Sequence, residues 1–227
     1  MSYQLLLTSS GIVPEIREEF LSLLKKKPEE NKVAFITTAA HGASKDVAWM
    51  QKDKELLYAY GIKKENLEDL DIKDKTKSQL EKILENKDII FVEGGNTFYL
   101  LYWAKRSGLD KMLPELLEYG SLYVGISAGS YLACPTIEMA AWKRQDLNKI
   151  GLTDLRALDL APFLITAHFE EKYRSVIDKA AKTTNYPIVA LTDKQAIIIK
   201  KNSTSQKIEI KAIGPGKKEF WNGFKEQ

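Results

Sequence analysis

The stretch Leu122-Tyr123-Val124-Gly125-Ile126-Ser127-Ala128-Gly129 reads as a buried strand running into a tight turn, with the apolar, helix-compatible residues 131–134 beyond it. A serine on so sharp a strand-to-helix bend needs flanking residues without bulk, and Gly125 and Gly129 supply them in a G-x-S-x-G pattern. Strand, turn and helix in that order mark one unit of an α/β fold. Further outward, apolar runs at residues 4–8, 33–37, 88–92, 163–166 and 187–191 also read as strands. Amphipathic stretches lie between them. Residues 14–26 begin at Pro14 and carry Ile16, Phe20, Leu23 and Leu24 on one face; residues 45–60 end before Gly61; residues 75–86 bring Leu80, Ile83 and Leu84 together. Asn96 or Thr97 can cap a helix reaching about Arg106, with Gly108 beyond it. A later helix presents Tyr173, Val176, Ile177 and Ala180. Residues 196–200 and 207–212 flank Asn202-Ser203-Thr204-Ser205, which reads as a hairpin. The alternation predicts an α/β fold: a mostly parallel sheet with helices on both faces and an antiparallel hairpin near the C-terminus, with residues 1–227 as one domain.

Composition narrows the function. Of 227 residues, 44% are apolar and 29% charged, which suits a globular chain with a sizeable core. The 34 Lys and Arg against 31 Asp and Glu leave a charge of +3, with lysines scattered among acids, so no nucleic-acid partner is expected. One cysteine excludes a disulfide framework or a multi-cysteine zinc site, and two histidines exclude a histidine-rich metal centre. The N-terminus lacks a basic n-region, and no apolar run approaches the roughly 18 residues of a membrane span. The expectation is a soluble, cytoplasmic protein with no membrane partner and no cofactor.

Ser127 is the candidate nucleophile: its hydroxyl would project into the crevice, with the Ala128 N–H pointing at the oxygen of a bound carbonyl. The plainer reading is a structural turn in an inert fold. A serine needs a base. His41 lies in a loop after the second strand and His168 directly follows a strand, which favours His168 because crevices form outside the carboxyl ends of strands. For the carboxylate that orients the histidine, Glu138, Asp146, Asp154 and Asp159 precede His168, and Glu170, Glu171, Asp178 and Asp193 follow it. Asp193 leads because it follows the apolar run Ile188-Val189-Ala190-Leu191. A second oxyanion donor could come from Glu93-Gly94-Gly95-Asn96-Thr97, which is neither a Walker motif nor a dinucleotide fingerprint. Cys134 offers a lesser alternative, a cysteine nucleophile.

Five pieces occur in register: Gly94-Gly95-Asn96-Thr97-Phe98, Gly125-Ile126-Ser127-Ala128-Gly129, Ala133-Cys134-Pro135-Thr136-Ile137, Leu160-Ala161-Pro162-Phe163 leading to His168-Phe169, and Leu191-Thr192-Asp193. Together they resemble the peptidase E (alpha-aspartyl dipeptidase) family of serine peptidases, to which cyanophycinases are related. The resemblance implies a class I glutamine amidotransferase-like fold, a triad in the order Ser127, His168, Asp193, and Gly95 N–H beside Ala128 N–H as oxyanion donors. It implies hydrolysis of dipeptides or short peptides, with an N-terminal aspartate, through an acyl-enzyme. Two departures stand out. The family's acid at the position of Asp193 is commonly glutamate, and the family's longer segment after the histidine, with its basic residue, is missing. Arg174 or Lys172 could replace that cation, and Asp146 best matches an acidic residue the family carries between serine and histidine. Asn96, Glu138, Asp146 and Arg174 are thus expected to hold substrate. Another small-substrate serine hydrolase (an esterase or beta-aspartyl peptide hydrolase) and a non-catalytic binding protein on the same fold are the alternatives.

Overall fold

A computed structural model describes residues 2–44, 47–202 and 207–227. The chain opens with β1 (Tyr3–Thr8), α1 (Arg17–Leu23), β2 (Val33–Ile36), α2 (Thr38–Ala43), α3 (Ala48–Ala59) and β3 (Leu67–Leu70). It continues through α4 (Lys77–Leu84), β4 (Ile89–Val92), α5 (Thr97–Ser107), α6 (Leu109–Glu118), β5 (Leu122–Ile126) and α7 (Ala128–Leu132). The last third holds β6 (Leu164–Thr166), α8 (Arg174–Ala181), β7 (Ile188–Ala190), β8 (Ala196–Lys201), β9 (Ile208–Ile213) and β10 (Glu219–Trp221).

Seven strands form the main sheet in the order β3-β2-β4-β5-β1-β8-β9. The first five run parallel, and β8 and β9 are antiparallel. Because strand side chains alternate, Ile90 and Val92 of β4 enter one core while Ile89 and Phe91 enter the other. α1 and α3 cover the second core through Phe20, Met50 and Leu57; α4 to α7 cover the first through Leu80, Leu101, Leu113 and Leu132. Both faces of the sheet are therefore closed by helices, as the alternation of elements predicts.

The remaining strands form a separate three-stranded sheet, β10-β7-β6, so residues 163–166 and 187–191 do not extend the main sheet as the sequence suggested. Its strands β6 and β7 are buried on both faces, and Leu164, Ile165, Ile188 and Val189 all join the first core, so the small sheet abuts the large one. Among the described residues no helix is long and apolar enough to cross a membrane.

Local differences have local causes. The first helix begins with a 3-10 turn at Pro14–Ile16 and ends at Leu23, ahead of Pro28. The loop assigned to His41 is helix α2, and the helix expected from residue 45 is seen from Ala48. α4 is bounded by a capping box in which Thr76 and Gln79 satisfy each other's backbone N–H groups. Asn96 caps α5, and Gly108 ends it at φ 81. The tip of the expected C-terminal hairpin, Ser203 to Ser205, lies outside the described residues.

Candidate active site

The C-terminal tips of β1, β4 and β5 open on one rim of the main sheet, and the tips of β6 and β7 face it from the small sheet. Ser127 follows β5 with φ 47 and ψ −100, a conformation that costs about 1–3 kcal/mol for a residue bearing a Cβ. Its N–H donates to Thr8 O at 3.0 Å, which pins the bend to β1. Gly129 is needed because a Cβ there would come within 2.2 Å of Val92 O. Gly95 sits at φ 135, with Ala39 O 2.2 Å from where its Cβ would be, so the turn after β4 can approach α2 only as glycine.

His168 reaches Ser127 across the gap between the sheets: Nε2 lies 3.1 Å from Ser127 Oγ, and Nδ1 lies 2.6 Å from Asp193 Oδ1. The hydrogen bond from His168 is the largest cause holding the Asp193 carboxyl below its ordinary range. An ionised carboxylate only accepts, so Nδ1 carries the proton and the Nε2 lone pair faces the hydroxyl. The shorter Asp, unexpected where glutamate is common, reaches because Ser9 ties both partners together. Ser9 Oγ accepts from His168 N at 2.7 Å and donates to Asp193 Oδ1 at 3.1 Å. That bond also holds His168 at φ 54. Tyr131 Oη accepts from Ala167 N at 2.9 Å, fixing the preceding peptide.

Ser127 and His168 line a cleft of about 500 Å3 together with Gly95, Asp53, Glu93, Lys143 and Asp146, and Asp193 holds the imidazole from outside that lining. A larger hollow of about 1300 Å3 lies at the other end of the main sheet, beside Tyr3, Asp88 and Ser121, and contains none of this chemistry. Asp146 accepts from the Thr97 N–H at 2.9 Å and from the Thr97 hydroxyl, and burial raises its carboxyl. Lys143 donates to Ala167 O and lies 5.3 Å from the Tyr173 ring centre; burial pushes it down to about 8.

Other expected site residues fall elsewhere. Arg174 is held by Glu171 and by Glu219 at 3.1 Å and stacks on Phe169 and Trp221, so it does not line the cleft. Lys172 pairs with Glu170 at 2.7 Å. Asn96 is spent on structure: Oδ1 accepts from Tyr99 N at 2.9 Å and Nδ2 donates to Leu147 O at 2.9 Å. Glu138 begins a 3-10 turn whose next two residues, Met139 and Ala140, line the cleft in its place. His41 is exposed on α2 and lies outside the cleft lining. Cys134 is fully buried and its thiol is pushed up to about 12, too protonated to serve as a nucleophile. Sequence reasoning passed over Ser9 and Lys143. The polar Thr8-Ser9-Ser10-Gly11 at a strand tip was the one available signal for the first.

A hydroxyl on a strained elbow, facing an imidazole oriented by a carboxylate on an α/β frame, has the form of a serine-type hydrolase. The model of peptidase family S51 matches residues 5–207, and the chain belongs to that family, the peptidase E family. An uncharacterized peptidase of Listeria monocytogenes is 33% identical over 204 residues, spanning 86% of this chain and 94% of its own. Peptidase E of Escherichia coli is 40% identical over 86 residues, or 38% of this chain and 36% of that one. The 1.5 Å crystal structure of a candidate peptidase E protein from Listeria monocytogenes superposes with a TM-score of 0.76 at 26% identity, covering 94% of this chain and 100% of that one. A peptidase from an acI-B1 Actinobacterium shares the fold, with a TM-score of 0.72 at 18% identity over 100% of this chain and 93% of its own.

Proposed function

We propose that the protein hydrolyses dipeptides or short peptides with an acidic N-terminal residue, aspartate foremost, through an acyl-enzyme on Ser127. The observation that carries this reading is the continuous chain Ser127 Oγ, His168, Asp193, with links of 3.1 and 2.6 Å. His168 Nε2 takes the hydroxyl proton as Oγ attacks the scissile carbonyl, and Asp193 stabilises the imidazolium that forms. The developing oxyanion is held by the N–H groups of Gly95 and Ala128. Ala128 is the first residue of α7, where a helix leaves its N–H without an internal acceptor. His168 then protonates the leaving amine, and water repeats the sequence to release the first residue.

Lys143 supports the acidic preference, taking the place expected of Arg174. It lines the cleft beside His168 and donates to a backbone carbonyl, Ala167 O, and an ammonium has three donors, so others are left for a substrate carboxylate. A cleft of about 500 Å3 suits a short peptide and excludes a folded chain. The test is a dipeptide panel scored for release of the N-terminal residue by the wild type and by Ser127→Ala. Turnover of Asp-X dipeptides that disappears in Ser127→Ala is expected; equal turnover by both proteins would end the proposal.

A further inference from the structure

Asp193, the carboxylate that orients His168, stands on a turn rather than in the packed interior, and its side chain is 62% exposed. Little packing holds it, so the place of its oxygen against the imidazole depends on how rigidly that turn is built. The turn, residues 192–195, is the link by which the chain passes from β7 of the small sheet to β8 of the large one. Gln195 closes it twice. Its backbone N–H donates to Thr192 O at 3.0 Å, and its side-chain Oε1 accepts from Thr192 N at 3.1 Å. Leu191, just before the turn, donates to Thr166 O and accepts from Phe169 N, each at 2.9 Å, which roots the turn on both sides of His168. Gln195 O in turn accepts from Ser9 N at 3.3 Å.

The rest of the Gln195 amide reaches a second link between the sheets. Residues 214–218 carry the chain back from β9 to β10, and Gln195 Nε2 donates to Pro215 O at 2.8 Å and to Lys217 O at 3.0 Å. Both N–H bonds of the amide and its oxygen are thereby engaged, in a residue that is buried. The second link is shaped to this contact. Gly214 stands at φ 88, where a Cβ would come within 2.0 Å of Lys194 O, and Gly216 at φ 81, where a Cβ would lie 3.7 Å from Gln195 Nε2. Lys218 Nζ closes the loop on itself by donating to Gly214 O and Gly216 O. Ser127 belongs to the large sheet, whereas His168 and Asp193 follow strands of the small one, so the gap the triad must span is set by how the two sheets are joined. We propose, on the peptidase reading above, that Gln195 is a positioning residue for the reaction: it stitches the two inter-sheet links together and so holds Asp193, and through it His168, in line with Ser127.

The experiment uses Gln195→Met, which keeps the length of the side chain and removes the amide. It measures kcat and KM on the dipeptide that the wild type turns over fastest, with rates counted per Ser127 titrated by a fluorophosphonate. A fall in kcat of about tenfold or more is expected, with KM within about twofold of wild type. In an Asp193→Asn background the same substitution should change kcat by less than about twofold, because the carboxylate it positions is gone. A role confined to stability would instead lower Tm and leave kcat per titrated serine unchanged, which overturns the proposal. Gly216→Ala, on the exposed part of the second link, serves if Gln195→Met does not fold. Straining the backbone between Pro215 O and Lys217 O should lower kcat about threefold at constant KM, again only while Asp193 is present. Wild-type kcat in the folded variant, or an equal loss in both backgrounds, overturns the stitch. Labelling separates the two readings: a wild type labelled on Ser127 and active, with variants that match it, loses this proposal alone. A folded wild type that is neither labelled nor active loses the peptidase reading and this proposal with it.

Discussion

Ser9→Ala removes a hydroxyl that touches no substrate, yet it should cripple the site. Ser9 is fully buried, and its Oγ lies 2.7 Å from His168 N and 3.1 Å from Asp193 Oδ1. Alanine leaves the His168 N–H without its acceptor, a loss of about 1–3 kcal/mol. It also takes a donor from Asp193, worth about 0.5–1 kcal/mol given that this carboxylate is largely exposed. Since His168 stands at φ 54, its ring is free to drift from the 3.1 Å contact once that tether is gone. A net loss of about 2 kcal/mol in the transition state corresponds to about thirtyfold in kcat/KM, carried mainly by kcat. Release of aspartate from an Asp-X dipeptide measures it. A cycle with Asp193→Asn adds a second reading, because residues acting through one network are not additive: the Ser9→Ala effect should shrink well below thirtyfold in that background. Activity within twofold of wild type, or a full effect on top of Asp193→Asn, would refute the tether.

Asp193→Asn itself should lower kcat by about a thousandfold or more, since an amide no longer fixes the tautomer, and by less than Ser127→Ala; steady-state rates on one dipeptide rank the two. Lys143→Met should raise KM for Asp-X about tenfold, the worth of one charge-assisted hydrogen bond, while sparing kcat. In the wild type that KM should climb as pH rises through about 8, because the lysine is cationic below that value and neutral above it, and Lys143→Met should lack the climb. Gly95→Ala should cost about 3 kcal/mol through its positive φ and the backbone 2.2 Å away, seen as a fall in Tm of roughly 6–12 °C by calorimetry.

The elbow at Ser127 is legible in the chain because its backbone geometry demands glycine on either side, so a steric need is written as residue identity. His168 and Asp193 are legible more weakly, as polar residues directly after apolar strands. That those strands belong to a second sheet is not legible, since strand partners are chosen by packing that no local pattern encodes. α6 escapes notice because Pro114 sits inside it, although Leu109, Met112, Leu113 and Leu117 share its buried face. β3 escapes because Glu68 and Asp69 on this edge strand are exposed, with Leu70 its one buried residue. Arg174 misled for the opposite reason: a cation near the histidine in sequence is neutralised by Glu219, a residue far along the chain. Lys143 and Asp53 carry no motif, and only the closing of distant loops gives them a place in the cleft.

Activation of the Ser127 hydroxyl by His168 is the step on which the proposed function rests. Reaction with a fluorophosphonate, followed by mass mapping of the modified peptide, tests it most directly. A stoichiometric adduct on Ser127 is expected, absent in Ser127→Ala and formed at least a hundredfold more slowly in His168→Ala. A folded wild type that forms no adduct, or forms it equally fast without the imidazole, would contradict it.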